Sequence, residues 1–280
     1  MGTSSIYNGP KKSPLLPKDF EEQNNPDSDD NKENVEQKDK GKEEPNVTDT
    51  KKSSENEVTW GGAKRTISRY ASGNSQNYKK GISNYIKANG GARNAARTAK
   101  SGIQSTANLG RFISNAHFNG FNESFREANI SFEGKSAKEI INEIINFLAP
   151  VPTTKEEAVA RKAIISSMEW LYQRLEEEGK DITTIDKIDK ETFNLIIPIQ
   201  FENYIYEKII SDLGSRFEEK ASSPNDVVKK EEEIKNYIVS KVETTFKDID
   251  FTLTKFNDKY ISKEVENLYQ KCYKVMEDML

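Results

Sequence analysis

Residues 21–57 set the first limit on what this chain can fold into. The stretch EEQNNPDSDDNKENVEQKDKGKEEPNVTDTKKSSENE holds two aliphatic residues, Val35 and Val47, and no aromatic ring. Ordering a residue costs roughly 1–2 kcal/mol of backbone entropy, and a segment with so little apolar surface has nothing to offset that cost. It is expected to be a disordered acidic linker, with thirteen acidic against six basic residues. Any packed core must then lie beyond residue 57. As a flexible coil such a linker spans about 5–6 Å × √n, some tens of ångströms, so the residues ahead of it can reach well away from the body.

Charge divides the rest of the chain. The net charge of -4 conceals a segment, residues 58–122, with ten Lys or Arg and no Asp or Glu, followed by residues 131–280 with thirty acidic and twenty-two basic residues. With a hydrophobic fraction of 34% and a charged fraction of 31%, the whole length does not suit one average globule. Four regions follow: an exposed N-terminal motif over 1–20, the linker over 21–57, a basic Gly/Ala-rich helical region over 58–130, and a C-terminal helical bundle over 131–280. Cys272 stands alone, which rules out an intrachain disulfide and points to a reducing, cytoplasmic setting. No apolar run reaches membrane-spanning length and the first thirty residues lack a secretory apolar core, so neither a span nor a signal peptide is expected.

Apolar spacing in both folded regions is helical. The basic region suggests helices near 63–72, 75–88 and 92–118, with Gly61-Gly62 and Gly90-Gly91 as breaks. The third carries Ala92, Ala95, Ala96, Ala99 and Ile103 on one face, which lets another backbone come close, and Arg93, Arg97 and Lys100 on a neighbouring face. In the C-terminal region, Ser136 with Glu139 and Thr154 with Glu157 read as capping boxes. They open stripes at Ile140, Ile141, Ile144, Ile145 and Leu148, and at Val159, Ala163, Ile164, Met168, Leu171 and Leu175. Gly179 stops the second of these helices. A third is expected over 190–219 with a kink or break at Pro198. A fourth starts at Asn225 and runs through Ile234, Ile238, Val242 and Phe246. The last starts at Ser262, with Val265, Leu268, Cys272, Val275 and Met276 inward. Short links between such helices imply an all-α, mostly antiparallel helical bundle behind a long disordered N-terminal tail.

The residues offer little catalytic chemistry. FEGKS at 132–136 has the ending of a phosphate-binding loop, but Asn129 stands where that loop needs its first glycine, and helix capping by Ser136 explains the stretch better. A metal site would have only His117 and Cys272 as nitrogen and sulfur ligands. No enzymatic activity, cofactor or metal is expected. The basic surface, Arg65, Arg69, Arg93, Arg97, Lys100 and Arg111, has two readings. It grips the phosphates of nucleic acid, or it pairs with the acidic C-terminal body or a partner protein. The second is favoured, since no DNA- or RNA-binding motif is present and Tyr70, Tyr78 and Tyr85 are too scattered for a base-stacking platform.

The leading stretch MGTSSIYNGPKKSPLLP raises a separate possibility for chemistry. Gly2 is small enough to permit loss of Met1, which would expose a glycine amine with a pKa near 8, a usable nucleophile once deprotonated. Myristoylation fits poorly, because its pattern wants Ser or Thr where this chain has Ile6. Pro14 and Pro17 bracket Leu15-Leu16 and bias the pair toward an extended strand suited to a groove.

Taken in order, several of these features carry a family resemblance. They are the Met-Gly-Thr-Ser-Ser start, Tyr7, Leu15-Leu16-Pro17, the acidic linker, Trp60, the stretch GGARNAAR at 90–97 and, more loosely, APVPTTKEEAVAR at 149–161. The chain resembles the QatB family of the four-gene Qat anti-phage defence systems of bacteria. The resemblance implies a non-enzymatic subunit working with a Qat-type P-loop ATPase, a QueC-like deazaguanine-synthesis enzyme and a TatD-like nuclease. It also implies a role for Gly2 as the acceptor of a modification made by the QueC-like enzyme. Thr3 and Ser4 would be small neighbours at that enzyme's site, and Tyr7, Leu15, Leu16 and Pro17 the docking element. The basic region would then bind the ATPase. The rival is a stand-alone nucleic-acid-binding protein acting through the basic helix 92–118. A membrane partner is not expected, because that helix is too polar to span a bilayer.

Overall fold

The Thr59 hydroxyl accepts the Gly62 amide at 3.2 Å and caps α1 (Trp60–Ala71). Gly61 and Gly62 thus lie inside the helix that they were expected to precede. A capped first turn tolerates them because its amides have no intrahelical partner in any case. The computed structural model describes residues 58–278, and these form one compact unit. The N-terminal motif and the linker expected over 1–57 lie outside the described residues.

Ten further α-helices follow among the described residues, and no strand. They are α2 (Tyr78–Ala88), α3 (Gly91–Thr98), α4 (Lys100–Phe118), α5 (Phe121–Glu127), α6 (Ala137–Leu148), α7 (Lys155–Glu177), α8 (Lys190–Leu213), α9 (Ser215–Lys220), α10 (Pro224–Phe246) and α11 (Ile261–Glu277). The all-α bundle inferred from spacing is what the chain forms. Both capping boxes are present in full: Ser136 Oγ accepts the Glu139 amide, Thr154 Oγ1 accepts the Glu157 amide, and each glutamate reaches back to its cap backbone.

Three boundaries differ from expectation. The helix expected over 92–118 is two, because Ala99 takes φ -77°, ψ 46° and ends α3 before α4 begins. Pro198 lies within α8, which continues to Leu213, and the break comes at Gly214. Proline in a helix interior removes one backbone hydrogen bond. Burial of Phe193, Ile196, Ile197, Phe201 and Ile205 on the same helix holds it intact. The short α5, which carries buried Phe121 and Phe125, had no long stripe to announce it.

α4, α8 and α11 make the centre. α8 packs against α7, α4 and α10, while α11 packs against α2, α3, α4 and α10. α7 and α8 run antiparallel: Lys155 at the start of one meets Asp212 near the end of the other at 2.8 Å, and Arg174 meets Glu191 at 3.0 Å at the opposite end. Between those ends Ser167 Oγ is 2.8 Å from Gln200 Oε1 and accepts from Asn203 Nδ2 at 3.1 Å. At the heart of the bundle Tyr269 lies 4.3 Å from the Phe201 ring and 5.2 Å from Tyr204, with its hydroxyl 2.8 Å from Thr106 Oγ1. The basic region and the C-terminal helices therefore share one apolar core.

Candidate interaction surface

The geometry of α3 starts from two glycines. Gly90 and Gly91 sit at φ +82° and +80°, a left-handed conformation that disfavours any side chain. Lacking side chains, they cannot cap the helix that they introduce. The cap comes from the far end of the chain: the Ala92 amide donates to Glu277 Oε2 at 3.4 Å, and Ser83 Oγ donates to the Glu277 carbonyl at 2.6 Å. A carboxylate there meets both the unpaired first-turn amides and the positive end of the helix dipole. Ala92, Ala95, Ala96 and Ala99 are buried, and α11 packs on α3. The small-residue face expected from spacing thus allows the close approach it suggested.

Burying that face turns Arg93 and Arg97 outward, four residues apart, and both are exposed. Arg97 donates to Asn94 Oδ1 of its own helix at 2.7 Å. Lys100 opens α4 and is also exposed. The polar line continues along α4, where Gln104 donates to Asn108 at 2.9 Å. Arg111 ends it, but as a fastening: its Nε donates to the Phe256 carbonyl at 3.1 Å and it is half-buried. Arg65 and Arg69 are exposed on α1, which packs on α2 and α9, whereas α3 packs on α2 and α11. The structure thus brings Arg93, Arg97 and Lys100 onto adjoining turns and leaves Arg65 and Arg69 on a separate helix.

Half of the cations of the C-terminal region pair with their own neighbours. Lys155 and Lys208 converge on Asp212, Lys190 meets Asp250 at 2.6 Å, and Lys230 meets Asp226 at 2.7 Å. By contrast, no ion pair joins Lys64, Arg69, Lys79, Lys80, Lys87, Arg93, Arg97 or Lys100 to a carboxylate among the described residues. Lys79 lies over the Tyr237 ring instead, 5.8 Å from its centroid. Pairing with the acidic body, one of the two destinations considered for the basic surface together with a partner protein, does not occur among these residues.

Other candidate chemistry finds structural uses. Lys135 pairs with Glu143, and Ser136 caps α6. His117 Nδ1 lies 2.7 Å from the Ile188 carbonyl, and its ring packs on Phe118 and Phe193. Cys272 is buried in α11, where burial pushes its thiol pKa well up and so suppresses the thiolate. The depression between the end of α7 and the start of α8 spends its charges internally, with Arg174 on Glu178 at 2.7 Å and Lys180 on Asp189 at 3.5 Å. Among the described residues no group of three His, Cys, Asp or Glu could hold a metal ion, and no helix is long and apolar enough to cross a membrane. Two residues went unnoticed in the sequence. Glu277 gave no local signal, since its partner lies 185 residues away. Glu202 sits on α8 among buried neighbours, and burial, with Glu243 nearby and only partial relief from Lys235, pushes its carboxyl up to about 7. The N-terminal candidates Gly2, Thr3, Ser4, Tyr7, Leu15, Leu16 and Pro17 lie outside the described residues.

The family described as Qat anti-phage system associated protein QatB matches residues 90–276, which begins at the left-handed Gly90 and ends one residue before Glu277. No curated protein and no solved structure matches this chain.

Proposed function

This chain belongs to the QatB family of Qat anti-phage system associated proteins, and from that membership we propose that it is a non-enzymatic subunit presenting its N-terminal glycine to a QueC-like partner. Its basic face binds the ATPase of the same system. Gly2 is the acceptor once Met1 is removed, Thr3 and Ser4 keep the approach uncrowded, and Tyr7, Leu15, Leu16 and Pro17 dock on the enzyme. The TatD-like nuclease completes the set of partners, and the assembly works in the bacterial cytoplasm.

For the docking half, the carrying observation is the exposed Arg93, Arg97 and Lys100, held on adjoining turns and in no ion pair with a carboxylate of the described residues. A positive patch of this kind favours an acidic partner surface and fast encounter with it. The presenting half is supported by sequence: a small residue at position 2, small polar residues after it, and a linker with only two aliphatic residues and no aromatic ring. Two experiments test the reading. Intact-mass measurement of the chain co-expressed with the other Qat components should show loss of Met1 and an added deazaguanine mass on Gly2; an unmodified Gly2 or retained Met1 overturns the presenting role. Deleting residues 1–20 should abolish phage resistance, and full resistance without them overturns it as well.

The same exposed cations support the rival, a nucleic-acid-binding protein. In that case retention on DNA falls steeply with salt and disappears with R93E/R97E/K100E. Co-purification with the ATPase after nuclease treatment favours the subunit reading instead.

A further inference from the structure

The turn between α6 and α7 is laid along α4 and carries apolar side chains into solvent. Asn108 Nδ2 donates to the Leu148 carbonyl at 3.4 Å, and the Ser101 amide donates to Glu156 Oε1 at 3.0 Å. The turn is thus pinned at both ends to one helix, at positions about 10 Å apart along its axis. Lys100, the exposed first residue of α4, stands at one of those ends. Phe147 is 45% exposed and Val151 78%, with exposed Pro150 between them. We propose that this turn and the cations of α3 and α4 form one docking surface for a protein segment that carries an apolar side chain flanked by Asp or Glu. Phe147 and Val151 receive the apolar side chain, and Arg93, Arg97 and Lys100 receive the carboxylates. The inference rests on the docking role proposed above and names the chemistry of the segment that fills it.

Three observations select this occupant. The first is the position of Phe147. It follows Ile140 by seven residues and Ile144 by three, so helical spacing sets it beside their fully buried stripe, yet nearly half of it stays in solvent. The second is that the turn is already fastened. Arg161 donates to the Ala149 carbonyl and, at 2.7 Å, to Asn146 Oδ1, and the Thr153 amide donates to Glu157 Oε2 at 2.7 Å. Pro150 and Pro152 fix two further backbone angles. Much of the entropy that a partner would otherwise have to remove here is therefore gone before it arrives. The third is charge. Arg93, Arg97 and Lys100 are exposed and in no ion pair among the described residues, so a segment with carboxylates beside its apolar group meets complementary charge. Exposed apolar side chains met singly, such as Val228 on α10, need no such account. An apolar pair on a fixed turn with cations to one side has the anatomy of a protein interface, whereas phosphates alone would use the cations and leave the pair in water.

Binding of the purified, nuclease-treated ATPase to the full chain, measured by biolayer interferometry, tests the surface. F147S/V151S, with helix content verified by circular dichroism, should weaken the Kd about tenfold or more, while V228S, which removes a comparably exposed apolar side chain from α10, should bind as the parent does. V151S and V151D change only a well-exposed turn residue and keep the test independent of α6. V151D should bind more weakly than V151S, because it sets a carboxylate against the partner's own, and raising NaCl from about 50 mM to about 500 mM should shrink that difference. An F147S/V151S chain that binds within about twofold of the parent, or a V151D chain that binds as V151S does in low salt, overturns the inference. Loss of the ATPase by R93E/R97E/K100E in that same assay would leave the docking role standing without its apolar half. If the parent fails to bind, or R93E/R97E/K100E binds as the parent does, the docking role falls and this inference falls with it.

Discussion

Gly110 and Gly102 on α4 serve as seats for aromatic rings. A β-carbon at Gly110 would fall 2.0 Å from Phe256 Cδ1, and one at Gly102 would fall 2.3 Å from Tyr204 Cζ. Neither ring can retreat, because Phe256 and Tyr204 are both fully buried. Gly110→Ala should therefore cost about 1–3 kcal/mol, the usual range for an overfilled core, and lower the calorimetric unfolding midpoint by several degrees. Glu202 makes a second residue-scale prediction. Its folded-state pKa of about 7 lies above the ordinary 4.5, so the native state holds this proton more tightly than the unfolded chain does. The resulting stabilisation is complete below about pH 4.5 and is lost as the pH rises through about 7. The advantage of Glu202→Gln over the parent should consequently grow by about 2–3 kcal/mol between pH 4.5 and pH 8 in paired urea titrations. A pH-independent difference would refute the burial of that charge.

Among the helices, the ends were the most legible parts of the sequence. Ser136 and Thr154 with their glutamates were readable because a capping box is complete within four residues, and both boxes form as expected. Thr154→Ala should destabilise the fold by about 1 kcal/mol in urea unfolding, and restoring Ser at that position should recover most of it. The stripes of α6, α7 and α10 were equally plain, since each repeats at three and four over several turns and every residue named on them is buried. What escaped notice depends on partners remote in the chain. The α3–α4 break at Ala99 follows from two helices packing on different neighbours, and alanine itself gives no hint of it. α5 has two turns and owes its order to Phe112, whose ring lies 6.3 Å from Phe121 and 6.2 Å from Phe125. On α11, Tyr269 and Tyr273 are buried although only the aliphatic stripe and Cys272 had been assigned inward; Thr106, 163 residues away, gives the Tyr269 hydroxyl its partner. The basic surface was legible as composition alone. That Arg111 is a fastening and that Arg93, Arg97 and Lys100 share adjoining turns required the packing of the alanine face.

At the scale of the whole molecule, the helical body of residues 58–278 carries exposed cations on α3 and α4 in no ion pair among the described residues. R93E/R97E/K100E should leave the unfolding midpoint within about 0.5 kcal/mol of the parent, as exposed substitutions usually do, while abolishing co-purification with the ATPase. A loss of stability of several kcal/mol would instead show these residues to be structural. The Glu277 carboxylate bears on how that body is kept in shape. It fastens the first turn of α3 from the last turn of α11, and Ser83 of α2 grips the same residue's carbonyl. One glutamate thus acts as the clasp of a necklace, closing the helix that bears the arginines onto a position close to the chain's final residue. Trimming the C-terminus past it, or crowding it with a fused tag, would loosen the arginine helix first, so a defect in partner capture by such a protein would appear well before the bundle itself came apart.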